Sequence, residues 1–117
     1  MRSVILTILL PLLILVTAEP EGAYPEKEWC IADEQTPNDV LQQALDWACG
    51  FGGADCNLIQ PNKPCYLPNT VRDHASYAFN SYWQKFKNKG ASCYFNSAAM
   101  VTDLDPSHGP CRFETLS

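Results

Sequence analysis

The chain is 117 residues long and carries eight Lys and Arg against thirteen Asp and Glu, for a net charge of −5 at pH 7. An acidic chain lacks the basic footprint that nucleic acid or an anionic membrane surface requires. Its length leaves room for one small domain.

The first eighteen residues have the layout of a secretory signal peptide. Arg2 gives a positive start, Val4 to Val16 is almost wholly apolar, and Val16-Thr17-Ala18 offers small residues at the cleavage position. The apolar run is short for a transmembrane span. Cleavage after Ala18 is expected, and the loss of Arg2 makes the mature chain more acidic still. Residues 19–28 hold two prolines, one glycine and four glutamates and read as a mobile N-terminal arm. Order is expected from Trp29-Cys30, so that residues 29–117 form the folded domain. The C-terminal residues after Cys111 lack an apolar tail of the kind a lipid-anchor signal carries, so a soluble, secreted molecule is expected.

All six cysteines, Cys30, Cys49, Cys56, Cys65, Cys93 and Cys111, follow the leader. An even set behind a signal peptide predicts three disulfides in an oxidising compartment. Zinc is disfavoured, because no C-x-x-C pair exists and His74 and His108 have no ligand spacing. No metal or other cofactor is expected.

Thr36 is the predicted N-cap of a first helix, with Pro37 at its first position and Asp39 near the positive dipole end. Val40, Leu41, Ala44, Leu45 and Ala48 follow helical spacing, and Gly50 supplies the stop. Trp47 flanks that stripe and is expected to pack on a disulfide or a second helix. Phe51-Gly52-Gly53-Ala54-Asp55 between Cys49 and Cys56 reads as a tight turn closed by a disulfide, since it lacks the spacing and lysine of a phosphate loop. Three prolines around Cys65 predict an irregular connection.

A second helix is predicted from Asn69 or Thr70 to about Lys87, with Asp73 placed to cap against Thr70. Beyond Gly90 the helical period is lost. Ser92-Cys93-Tyr94-Phe95 and Gly109-Pro110-Cys111-Arg112-Phe113 are β-compatible, with turns at Asp105-Pro106-Ser107 and His108-Gly109. The fold class expected is α+β: a small disulfide-rich domain of two packed helices, a short antiparallel sheet and long coils.

Catalysis finds little footing. There is no G-x-S-x-G elbow and no H-E-x-x-H, and disulfides remove the thiols. Asp103 and Asp105 are the carboxylate pair to examine for glycoside hydrolysis, although a surface turn explains them more simply. The second helix is more informative. Val71, Ala75, Ala78, Tyr82 and Phe86 share a core stripe with Phe79 on its flank. The opposite face would carry Asp73, Tyr77, Asn80 and Gln84, with Trp83 at the boundary. Rings beside amides suit a sugar polymer, because the rings meet C–H faces and the amides bond hydroxyls. Periodicity alone leaves a second reading open, in which Tyr77 and Trp83 cover the core beneath the C-terminal half.

The segment Asn69 to Gln84, with His74-Ala75-Ser76-Tyr77-Ala78-Phe79-Asn80-Ser81, closely resembles the matching stretch of the plant callose-binding modules. These small six-cysteine domains occur alone or behind endo-β-1,3-glucanase catalytic domains. The resemblance extends to Trp29-Cys30, Leu45 to Gly50, Gly52 to Cys56, Ile59-Gln60-Pro61, Cys65-Tyr66, Ser92-Cys93 and Asp105-Pro106-Ser107 before Cys111. It departs at Trp83, where the family usually has Tyr, and after Cys93, where Tyr94-Phe95-Asn96-Ser97 replaces D-F-G-G. It implies non-catalytic binding of β-1,3-glucan, with Tyr77 and Trp83 as stacking rings and Asn80 and Gln84 as hydroxyl partners. Tyr94 and Phe51 are the next candidates. The family pattern also implies Cys30–Cys93 and Cys65–Cys111, whereas Cys49–Cys56 is suggested by the Gly-Gly turn it brackets. An isolated module of this kind resembles the soluble pollen-allergen branch; it is expected to be a monomer, with a separate glucanase as a conceivable partner. A secreted cysteine-rich defence or signalling protein and, further off, a glucan hydrolase stand as alternatives.

Overall fold

The computed structural model describes residues 26–116, so the predicted signal peptide and the arm up to residue 25 lie outside the described residues. Chain order runs β1 (Trp29–Ala32), α1 (Asn38–Cys49), α2 (Val71–Phe86) and β2 (Ala99–Thr102), with short 3-10 turns at Asn57–Ile59 and Lys87–Lys89. This is the expected α+β class of two helices and a small antiparallel sheet.

Helix α1 begins one residue later than Thr36 and Pro37 suggest. Pro37 itself is the N-cap, extended at ψ 152°, and its carbonyl accepts from Leu41 N–H at 3.0 Å. Thr36 caps nothing, because its hydroxyl donates to the Ser97 carbonyl instead. At the other end Gly50 N–H closes on the carbonyls of Asp46 and Trp47. Helix α2 starts as predicted: Thr70 Oγ1 accepts from Asp73 N–H at 3.0 Å and donates back to the Asp73 carboxylate. It ends through the Lys87–Lys89 turn at Gly90, whose φ of +98° is the left-handed stop that glycine adopts freely.

The sheet differs from expectation. Strand β1 pairs antiparallel with β2, placing Cys30 opposite Val101 and Ala32 opposite Ala99. Ser92 to Phe95 is no strand: Phe95, Asn96 and Ser97 all have positive φ, which turns the chain sharply before β2. The stretch from Gly109 to Phe113 contributes one isolated bridge, His108 to Cys111, around Gly109 at φ +50°.

Helix α2 lies at the centre. It packs against α1 and against β1. The C-terminal tail closes over it as well, with the Phe113 ring edge-on to Tyr77 at 5.2 Å. The core joins Leu41, Leu45 and Ala48 of α1 to Ala75, Ala78 and Phe79 of α2, with Trp29, Ala98 and Phe113 around them. Burying each large apolar side chain contributes roughly 1.5–3 kcal/mol. Ala75 and Ala78, both fully buried, offer α1 the flat surface that close helix packing needs. Val40, placed by spacing on the core stripe, is exposed.

Disulfides join Cys30 to Cys93, Cys49 to Cys56 and Cys65 to Cys111, the pairing that the family pattern and the Gly-Gly turn imply. A domain this small is marginal on apolar burial alone. The long closures, of 63 and 46 residues, constrain the unfolded chain most.

Candidate functional site

The predicted outer face of α2 is an inner face. Tyr77 is 6% exposed, and Asn80 and Gln84 are each 1% exposed. Periodicity placed them opposite the α1 contact, but β1 and the C-terminal tail cover that side. Their polar atoms serve the backbone of those covering segments. Asn80 Oδ1 accepts from Cys30 N–H at 3.1 Å, and Asn80 Nδ2 donates to the Glu114 carbonyl at 2.8 Å. Gln84 donates to the Glu28 carbonyl and to Asn80 Oδ1, while its own carbonyl accepts from Leu116 N–H at 2.9 Å. Ser76 and Ser81 accept from Ala32 and Asp55 N–H groups, and Arg72 donates to the carbonyls of Asp33 and Thr36. A row that looks like sugar ligands therefore clips irregular chain to the helix, satisfying backbone groups that burial would otherwise strand. Burial pushes the Tyr77 phenol above its ordinary pKa, and the Glu114 and Asp55 carboxylates push it further. Of the four predicted residues only Trp83 keeps appreciable surface, with Lys87 Nζ 4.9 Å above its ring.

The accessible aromatic surface lies across the α1–α2 junction. A groove of about 510 Å3 is lined by Val40, Gln43, Ala44 and Trp47 of α1, by Tyr82 of α2, and by Ser92, Tyr94, Phe95 and Asn96 of the following loop. Three rings meet edge-on there: Trp47 to Tyr82 at 5.3 Å, Trp47 to Phe95 at 6.0 Å and Tyr82 to Phe95 at 5.4 Å. Trp47 is 44% exposed and Tyr94 55%. Trp47 thus packs on the second helix, as the sequence suggests, and also presents a face to solvent, which the sequence reading missed. A signal was present, since Val40, Gln43, Ala44 and Trp47 recur at i, i+3, i+4 and i+7 and form a second stripe on α1.

The loop that carries Tyr94 is held firmly. Cys93 ties it to β1, Ala98 N–H and Ala99 N–H bond back to the carbonyls of Phe95 and Tyr94, and Phe95 stacks on buried Phe79 at 4.2 Å. Ser97 Oγ donates to Tyr94 Oη at 3.0 Å and fixes the ring. The three successive left-handed residues, with φ of 51°, 55° and 72°, cost roughly 1 kcal/mol or more each, a strain that persists only where surrounding contacts impose it. The groove is therefore preformed, with apolar ring faces, the amides of Gln43 and Asn96 at its margin and no Asp, Glu, Lys, Arg or His among its lining residues.

Acid–base chemistry is not built here. The Asp105 carboxyl is held below its usual range by hydrogen bonds from Ser107, the reverse of what a general acid needs, and both Asp103 and Asp105 are exposed. The pair belongs to a turn in which Ser107 N–H bonds Asp105 Oδ1. Among the described residues no group of three or more His, Cys, Asp or Glu could hold a metal ion, and no helix is long and apolar enough to cross a membrane.

The X8 domain family matches residues 28–100. Similar proteins in Arabidopsis thaliana include glucan endo-1,3-beta-glucosidase 12, 51% identical over 87 residues, which cover 74% of this chain and 16% of that protein. Glucan endo-1,3-beta-glucosidase 1 is 53% identical over 85 residues, covering 73% of this chain and 17% of its own length. Plasmodesmata callose-binding protein 5 is 41% identical over 103 residues, covering 87% of this chain and 57% of that one. The chain thus spans about a sixth of each glucosidase and little more than half of the callose-binding protein. The chain belongs to the X8 domain family. The X8 domain is a carbohydrate-binding module rather than a catalytic domain, and the region aligned with the glucosidases is this module.

Proposed function

We propose that this X8 domain binds β-1,3-glucan without cleaving it, along the groove between α1 and the loop after Cys93. The observation that carries the reading is the solvent-facing aromatic cluster, in which Trp47, Tyr82 and Phe95 meet and Tyr94 stands at the rim beside Gln43 and Asn96. Rings of this kind stack on the C–H faces of glucose units, and the amides exchange hydrogen bonds with its hydroxyls. The choice of glucan rests on the relatives, which are named for 1,3-β-glucan hydrolysis and for callose binding. The leader-like N-terminus and three disulfides support action outside the cell, in a plant wall. A monomer with polysaccharide as its principal partner is sufficient for the role.

Affinity for short oligosaccharides is expected to be micromolar to millimolar, about −8 to −4 kcal/mol, with stronger retention on insoluble polymer that offers many overlapping sites. Because the groove lining is uncharged, retention varies little with salt. The test is a pull-down on insoluble β-1,3-glucan, with cellulose and chitin alongside. Trp47→Ala should release the protein from the glucan at a cost of roughly 1–2 kcal/mol in binding. Undiminished retention of a folded Trp47→Ala protein, or steady reducing-sugar release by pure protein, overturns the proposal.

A further inference from the structure

Phe51 is the most exposed large apolar side chain among the described residues, at 95%, yet the turn that bears it is rigidly built. The Cys49–Cys56 disulfide closes the turn. Within it, Gly52 N–H bonds the Trp47 carbonyl at 2.8 Å, Ala54 N–H bonds Ala48 at 2.9 Å, and Lys85 Nζ donates to the Gly53 carbonyl at 2.6 Å. Gly52 lies so close to α1 that a Cβ there would stand 2.7 Å from the Trp47 ring and 3.0 Å from Ala48 backbone. The chain thus presses the turn onto Trp47 and leaves the neighbouring phenyl ring in water. Among the described residues no packing explains that ring.

Beside it lies a second open hollow, also about 510 Å3, lined by Trp47, Phe51, Tyr82, Phe86, Lys89 and Gly90. Trp47 and Tyr82 line both this hollow and the groove, so the two adjoin across that pair of rings. We infer that the second hollow is a further subsite for the same polysaccharide chain, with Phe51 as its stacking ring. The ligand is then an internal run of glucan that passes from Tyr94 across the Trp47–Tyr82 ridge to Phe51, not a chain end. This rests on the groove being the glucan site. A ring carried on a backbone already fixed by the turn gives up only its side-chain freedom when a sugar covers it, which suits a role in extending contact along a polymer.

Calorimetric titration of the intact protein with laminaritriose and laminarihexaose tests the inference. The wild type should bind the hexaose more tightly than the triose. Phe51→Ala should lower hexaose affinity about fivefold and leave the triose unchanged, with Phe51→Trp restoring the gain. Since Phe51 is solvated, its loss should not move the melting temperature. Tyr94→Ala, a groove variant at another exposed ring, should weaken both ligands. If Tyr94→Ala weakens both but Phe51→Ala binds the hexaose like wild type, or weakens both ligands equally, the second subsite is overturned and the groove stands. If Tyr94→Ala and Trp47→Ala weaken neither, the groove reading itself falls and the subsite with it.

Discussion

Two regions of this molecule carry the same kinds of side chain and use them in opposite ways. Along the buried side of α2, Ser76, Asn80, Ser81 and Gln84 turn hydroxyls and amides toward backbone N–H and C=O groups of β1, the Cys49–Cys56 loop and the C-terminal tail. Across the α1–α2 junction, Gln43 and Asn96 sit beside rings with open faces. Chemistry alone would assign both sets to sugar. The difference is made by what lies over them: the free edge of β1 and irregular segments cover the first set, and solvent covers the second. The contrast teaches that a polar residue on a helix in a small disulfide-rich domain is as apt to be a clip for loops as a ligand. Such a domain has much irregular backbone and little regular structure to satisfy it.

The contrast can be broken most severely where one feature serves both regions. Cys30–Cys93 anchors β1 and the loop bearing Tyr94. Replacing both cysteines by Ala should cost about 4 kcal/mol of stability, given a 63-residue closure, and should weaken glucan retention by freeing the loop. Thermal unfolding and the pull-down, measured on one preparation, report the two effects together.

Asn80→Ala should separate the regions. It leaves the Cys30 N–H unpartnered in the interior and removes the donor to the part-buried Glu114 carbonyl, at a cost of about 2–3 kcal/mol. Glucan affinity measured well below the lowered melting temperature should match wild type. Loss of affinity in folded Asn80→Ala protein would return the binding surface to α2.

The smallest effect is a pH dependence confined to the buried side. The Tyr77 phenol has a raised pKa in the fold, so its neutral form is favoured there. Its contribution is fully present below the unfolded value of about 10 and is lost as pH rises through the folded value. Tyr77→Phe should therefore flatten part of the alkaline fall in stability, while glucan retention at neutral pH stays unchanged. Denaturant melts of both proteins from neutral pH to beyond pH 10 make the comparison.

Much of this domain was legible because its signals are local. Thr70 with Asp73 and the glycines at positions 50 and 90 mark helix ends through single-turn hydrogen bonds and backbone freedom, which need no distant neighbour, and Pro37 marks the start of α1 to within one residue. The Gly-Gly turn likewise announces the Cys49–Cys56 link. The fold class followed from those helix signals and the short β-compatible pieces, and a resemblance spread over many motifs supplied the pairing of the remaining four cysteines.

Strand pairing and exposure were not legible, because both depend on segments far apart in the chain. Val101 meets Cys30 across a long separation, and three residues with positive φ after Tyr94 break a stretch whose composition suits a strand. A helical wheel shows which residues share a face but says nothing of whether one layer or three will cover the helix. Spacing left Tyr77 open between covering the core and binding, and set Trp47 to packing; the fold buries Tyr77 and gives Trp47, packed on α2, an exposed face as well. The sequence by itself determined, to within a residue, where helices begin and end, and which side chains could serve a sugar. The tertiary structure alone decided which of those side chains still meet water, since solvent exposure is a property of what packs above a residue and not of the residue.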